Sequence, residues 1–224
     1  MTDDNTTASA PEIVVPDLVD SGSATGDRDL LRRAGATDTE ITAASNARID
    51  LGDYYLARAA GSSHQEVVEA HGAVNLIDYT LARYHASHSQ IMEAHRAGIG
   101  LTDYALALEA GAAHSEALEV AASGVSLATY SAMLRSWIDR ADILDAHAAG
   151  VDLNQYGDAR RARISHADVM AAHRGGAWLG DYVLARLGGA AHDELMEIVA
   201  HNGDLWQYAA QRHQAEAHSQ GLSA

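Results

Sequence analysis

The chain of 224 residues contains no cysteine, no lysine and no phenylalanine, and only two prolines. Without cysteine there are no disulfides and no thiolate sites for metals or redox chemistry. Arginine and histidine are the only side-chain cations, and 31 acidic residues against 15 arginines leave a net charge of −16. That balance disfavours a nucleic-acid phosphate backbone as direct partner, and leaves basic partners or mimicry of a nucleic acid open. No run of about 18 apolar residues occurs, so no membrane-spanning helix is expected. The opening stretch MTDDNTTASAPEIVVPDLVD is acidic and polar, unlike a secretory signal; Asp3, Asp4, Glu12, Asp17 and Asp20 have no base among them. The expected address is the cytoplasm of a cell or of a phage host, or a virion. Aromatic content is 5% although 47% of residues are hydrophobic. Alanine makes up roughly a fifth of the chain, and a core built from it must be thin, which suits short helices in close contact. Alternating β-branched runs are lacking, so strands are not expected.

What is present is a repeat. Tyrosines stand at Tyr54, Tyr79, Tyr104, Tyr130, Tyr156, Tyr182 and Tyr208, and three residues before each stands a leucine: Leu51, Leu76, Leu101, Leu127, Leu153, Leu179 and Leu205. A fixed period of 25 or 26 residues is the mark of a stacked array. Each unit reads as two short helices. The first opens on a polar cap (Asp50, Asn75, Ser126, Asp152, Asp204), often with an acid or amide three residues on, the spacing of a capping box or a close relative. The second opens at Ser63 with Glu66, Ser87 with Gln90, Ser165 with Asp168 and Thr37 with Glu40. Gly61, Gly111 and Gly189 separate the helices of a unit, and Gly98, Gly124, Gly150 and Gly176 end the second one. Within the second helix, His64, Val67, Val68 and His71 form an i, i+3, i+4, i+7 stripe, as do His166, Val169, Met170 and His173.

The spacing predicts an all-α, right-handed superhelical solenoid of about seven and a half units. An acidic, flexible or docking tail spans 1–23 and carries the apolar patch PEIVVP. A divergent capping unit follows at 24–49. Six units cover 50–74, 75–99, 100–125, 126–151, 152–177 and 178–203, and a half unit with a tail ends at 204–224. The capped-hairpin periodicity resembles α-solenoid arrays of the tetratricopeptide, HEAT and armadillo type, although these units are shorter. The tetratricopeptide Trp/Gly/Tyr/Pro pattern and the ankyrin TPLHxA are absent. The resemblance implies an interaction surface, and no family's functional residues are carried over.

Residues fixed in every unit are expected to clasp the units together, because binding surfaces vary along an array. The Leu and Tyr columns are therefore read as packing residues. One histidine column (His64, His88, His114, His166, His192, His218) sits at helix starts, with Arg140 and Asp38 as exceptions; the other (His71, His95, His147, His173) sits near helix ends. Pairs seven apart are too distant for one metal ion and HExxH is missing, so neither metal nor cofactor is expected. Thirteen histidines also raise the idea of a pH response. The arginine column (Arg32, Arg58, Arg83, Arg160, Arg186, Arg212) is read as a ladder pairing with Asp53, Asp78 or Asp181 or covering the Tyr rings. No nucleophile elbow, phosphate loop, dinucleotide fingerprint or paired-carboxylate motif is present, so enzymatic activity is not expected.

Departures from the repeat mark the expected partner surface: Trp137, Arg140, Arg160, Arg161, Arg163, Trp178 and Trp206, types enriched in binding hot spots. The expected role is a non-enzymatic scaffold or adaptor that binds a protein through one solenoid face. Two alternatives stay open: a structural component of a larger particle such as a bacteriophage virion, and an acidic inhibitor that mimics nucleic acid.

Overall fold

The computed structural model describes residues 24–219, and for 24–27, 213 and 215–219 the backbone alone. The expected tail 1–23 lies outside the described residues, as do 220–224 and the side chain of His218. The described chain is a tandem array of fifteen helices with no strand among them. The first helices of successive units are α1 (Ala24–Arg33), α3 (Leu51–Ala59), α5 (Leu76–Arg83), α7 (Leu101–Glu109), α9 (Leu127–Arg135), α11 (Leu153–Arg161), α13 (Leu179–Leu187) and α15 (Leu205–Ser219). The second helices are α2 (Asp38–Asn46), α4 (His64–His71), α6 (His88–Arg96), α8 (His114–Ala122), α10 (Arg140–Ala148), α12 (His166–Arg174) and α14 (His192–Ala200).

Local chemistry sets the boundaries. The side chains of Asp50, Asn75 and Asp152 each accept two backbone N–H groups of the first turn that follows. These caps act one way: the Asp or Gln three residues on makes no return bond to the cap, contrary to the capping-box expectation for the first helices. Reciprocal boxes form instead at the second helices, with Thr37–Glu40, Ser63–Glu66 and Ser87–Gln90.

Helices of eight or nine residues are marginal alone, so packing holds them. Tyr54, Tyr79, Tyr104, Tyr130, Tyr156 and Tyr182 are fully buried. Leu76, Leu101, Leu127, Leu179 and Leu205 are buried beside them, and Leu51 and Leu153 half-buried. Alanine supplies the seams. Ala57, Ala82, Ala107, Ala159 and Ala185, three residues after the tyrosines, have no exposed surface, nor do Ala44, Ala70, Ala94, Ala146 and Ala172 of the second helices. Side chains this small let neighbouring helices approach closely. Successive first helices lie directly against one another, while successive second helices do not stack comparably. The second-helix stripe differs from the expectation at Val68, which is 40% exposed; Val67 and Ala70 carry the packing.

Two seams depart from the rule. Leu31 of the divergent first unit and Met133 stand where the other seams have alanine, and both are buried; Met133 faces Gly157 of the next unit, where an added Cβ would lie 3.6 Å from its Cγ. Here α9 and α11 are the least closely stacked successive first helices among the described residues. The larger side chain holds the pair apart, and the missing side chain at 157 makes room for it.

Candidate interaction surface

The columns that repeat in every unit are consumed in the interior. Five tyrosine hydroxyls are hydrogen-bonded to Nδ1 of the histidine that opens the same unit's second helix: Tyr54–His64 at 2.9 Å, Tyr79–His88 at 3.0 Å, Tyr104–His114 at 2.7 Å, Tyr156–His166 at 2.8 Å and Tyr182–His192 at 2.7 Å. The rings meet edge to face. The opposite nitrogen reaches into the preceding unit: Nε2 of His114 bonds Glu93 at 3.2 Å and that of His166 bonds Asp145 at 3.1 Å. A neutral imidazole with its proton on Nε2 satisfies both contacts, donating to the carboxylate and accepting from the phenol. Burial pushes the phenols of Tyr104, Tyr156 and Tyr182 up to about 12. The second histidine column does a related job in two units, where Nε2 of His147 and His173 meets the carbonyls of Ser123 and Ala149 that end the preceding second helix. His71 and His95 are exposed. Among the described residues no group of three or more His, Asp or Glu is placed to hold a metal ion.

Unit 126–151 solves the same problem with other residues. Arg140 replaces the histidine and pairs with Glu116 at 2.9 Å and Glu119 at 3.3 Å in the preceding unit. The Tyr130 hydroxyl donates to Glu116. Burial first, and then this carboxylate, push its pKa upward.

The arginine column is a ladder, but its partners differ from those expected. Arg58 pairs with Glu40, Arg160 with Asp142, Arg186 with Asp168 and Arg212 with Glu194, each the acid in the first turn of the preceding second helix. The guanidinium also donates to carbonyls of the interhelix turns, such as Arg58 to Gly35 at 2.8 Å and Arg186 to Ala190 at 3.0 Å. Asp53, Asp78 and Asp181 stand at the opposite end of the first helices, more than a turn away along the axis, and do not pair with it. Where Leu108 and Leu134 interrupt the column, Arg135 ties to Glu109 at 3.1 Å instead.

What remains free is the outer face of the first helices, at positions two before, two after and five after each tyrosine. On α5 these are Ile77, Leu81 and Tyr84, all 45% exposed or more. On α9 and α11 the same positions hold polar or small residues, including Asn154, Asp158, Arg135 and Arg161. Towards the C-terminus the face turns apolar again, with Leu184, Leu187 and Trp206 exposed at 41%, 63% and 59%. Trp178 joins this second patch from the turn before α13. Its indole comes close to Gly180, where a Cβ would lie 2.7 Å from Nε1, so the missing side chain makes room for the ring against the first turn of the helix. Between α11 and α13 opens a groove of about 670 Å³, walled by Trp178, Leu184 and Leu187 on one side and by Asp158 and Ala162 on the other.

The residues expected to meet a partner thus fall into three places. Trp178, Trp206 and Arg161 lie on the free face, Arg161 paired with Asp158 at 3.0 Å. Trp137 and Arg163 occupy turns that leave the first helices, both with left-handed backbones at positions where other units place glycine. Arg140 and Arg160 are engaged between units. The Ile77, Leu81, Tyr84 patch carries no sequence signal beyond an i, i+4, i+7 spacing of large apolar residues on α5.

No described helix is long and apolar enough to cross a membrane. Compared with models of known protein families, with curated proteins and with solved structures, the chain matches none. It is an α-solenoid of two-helix repeats, and the repeat itself carries the classification.

Proposed function

We propose that the chain is a non-enzymatic interaction scaffold that binds a protein partner through the outer face of its first helices. One contrast supports this reading most. Repeated polar side chains such as the tyrosine hydroxyls and the arginine ladder are engaged between helices, while six large exposed hydrophobics, Ile77, Tyr84, Trp137, Trp178, Leu187 and Trp206, stand at positions that vary from unit to unit. Apolar patches of this kind on an otherwise charged surface mark interaction sites, and an exposed tryptophan beside a groove is a residue type enriched in binding hot spots.

The test is site-specific photo-crosslinking in the native cell extract, with a photoreactive residue in turn at positions 81, 187 and 206 of the free face and at exposed Glu93 of α6. The expected result is a discrete adduct from the free face and none from position 93. Adducts from every position alike, or from none, would end the scaffold reading. Adducts that are all virion subunits would point to the particle-component role, and adducts confined to DNA- or RNA-binding proteins to the mimic role.

A further inference from the structure

We infer that the groove between α11 and α13 receives a basic amphipathic helix of a partner protein, which names the partner class for the interaction face proposed above and rests on that reading. The groove has an apolar wall of three large exposed side chains, Trp178, Leu184 and Leu187, distributed from before the start of α13 to its last residue. A nine-residue helix is about 13 Å long, so this wall matches some two and a half turns of a guest helix with apolar residues at i, i+3 or i+4, and i+7. Two carboxylates border it. Asp181 has no hydrogen-bond or ion-pair partner among the described residues, although it is half-buried and lines the groove. Asp158 on the opposite wall is paired only with Arg161, a solvent-exposed contact of the kind that contributes little.

Charge decides between the occupants such a groove could have. A second copy of the chain brings another −16 to a face that already carries unpaired acid. The chain's own segment 1–23 has five acids and no base within its first twenty residues, so it too is repelled. A helix with apolar anchors flanked by lysine or arginine meets both the wall and the carboxylates, and the field of the whole chain draws it in. The guest's cations then stand opposite Asp181 and Asp158 while its apolar residues cover Leu184, Leu187 and the indole of Trp178.

The experiment titrates the full-length chain with three labelled peptides of about 18 residues, long enough to populate helix on binding, and reads fluorescence anisotropy. One peptide places leucine at i, i+3, i+4 and i+7 with lysine elsewhere. The second keeps the leucines and replaces lysine by glutamate. The third scrambles the first so that no apolar face remains. The Leu/Lys peptide is expected to bind at least about tenfold more tightly than either control, which corresponds to roughly 1.4 kcal/mol, with an affinity that falls as salt rises. Leu184→Ser with Leu187→Ser should weaken it about tenfold. Asp181→Asn should weaken it several-fold and flatten the salt dependence, while Val68→Ser on second helix α4, outside the free face, leaves it unchanged. Circular dichroism confirms that each variant keeps its helices. Equal binding of the glutamate or scrambled peptide, or binding indifferent to the groove variants, overturns the inference. So does a large gain in affinity on deleting residues 1–23, which makes the tail the occupant, or a dimer in sedimentation that Leu187→Ser abolishes, which makes it a second copy. Peptide failure alongside persistent crosslinks at 81 or 206 sinks the basic helix and leaves the scaffold standing; loss of both sinks the scaffold as well.

Discussion

Trp137 holds a left-handed backbone, φ +58°, with its indole 94% exposed, in a turn where other units place glycine. A side chain with a Cβ costs about 1–2 kcal/mol in that conformation, and an exposed indole returns no packing energy. Trp137→Gly is therefore expected to stabilise the chain by about 0.5–1 kcal/mol, after the greater freedom of glycine in the unfolded state is subtracted. The shift in urea midpoint reads it, and a lowered midpoint would mean that the indole makes contacts in solution. The opposite holds at a buried phenol. Tyr104→Phe removes the hydroxyl from Nδ1 of His114 without changing shape, leaving a part-buried acceptor unmatched and lowering stability by about 1–3 kcal/mol. The same substitution at Tyr55, half-buried and outside the Tyr–His pairs, should cost less than about 0.5 kcal/mol.

Between helices the decisive quantity is the size of one side chain in each seam. The spacing of first helices is set by Ala57, Ala82, Ala107, Ala159 and Ala185, and in two places by a larger side chain, Leu31 and Met133, the latter facing Gly157. Ala82→Met is expected to cost about 1–3 kcal/mol by overpacking a seam whose other side has no matching gap. Met133→Ala instead opens a cavity beside Gly157 and should cost about 2–4 kcal/mol. If Gly157→Ala is added to Met133→Ala, part of the loss should return, a coupling that a double-mutant cycle measures directly. Much at this scale was legible from the period alone. Thr37–Glu40, Ser63–Glu66 and Ser87–Gln90 are local pairs, and their reciprocal bonds follow from spacing. The partners of the arginine ladder were not legible. Arg186 reaches Asp168, eighteen positions away; the i, i+5 spacing rules out Asp181 on its own helix, but only the packing of consecutive hairpins selects Asp168 among the acids of the neighbouring helices.

For the whole molecule the phenols form a common alkaline limit. Burial first of all holds Tyr104, Tyr156 and Tyr182 up to about 12 against an ordinary value of 10.0, and Tyr54 and Tyr79 move the same way. A group whose folded value stands above its unfolded one contributes fully below the unfolded value and loses that contribution as pH rises through the folded value. The array should keep its helicity up to about pH 10 and lose it between roughly pH 10 and 12, as several phenols together demand ionisation. Far-ultraviolet circular dichroism and the phenolate absorbance should change together in that window. Phenolate absorbance rising at pH 10 while helicity persists would show that the rings are reachable by water in the folded chain.

By itself the sequence determined the unit, its two helices, the residues that cap them and the end of the second helices that stop at Gly98, Gly124, Gly150 and Gly176. Those depend on residues within a few positions of one another, where backbone geometry allows few outcomes. It also marked Trp137, Trp178 and Trp206 as departures from the repeat. Only the tertiary structure decided that the first of these lies at a hairpin turn while the other two share the free face, and that Arg140 and Arg160 are taken up between units. The reason is geometric. A period states which residues are equivalent, whereas the angle at which one hairpin settles on the next states which of them meet and which are left facing water.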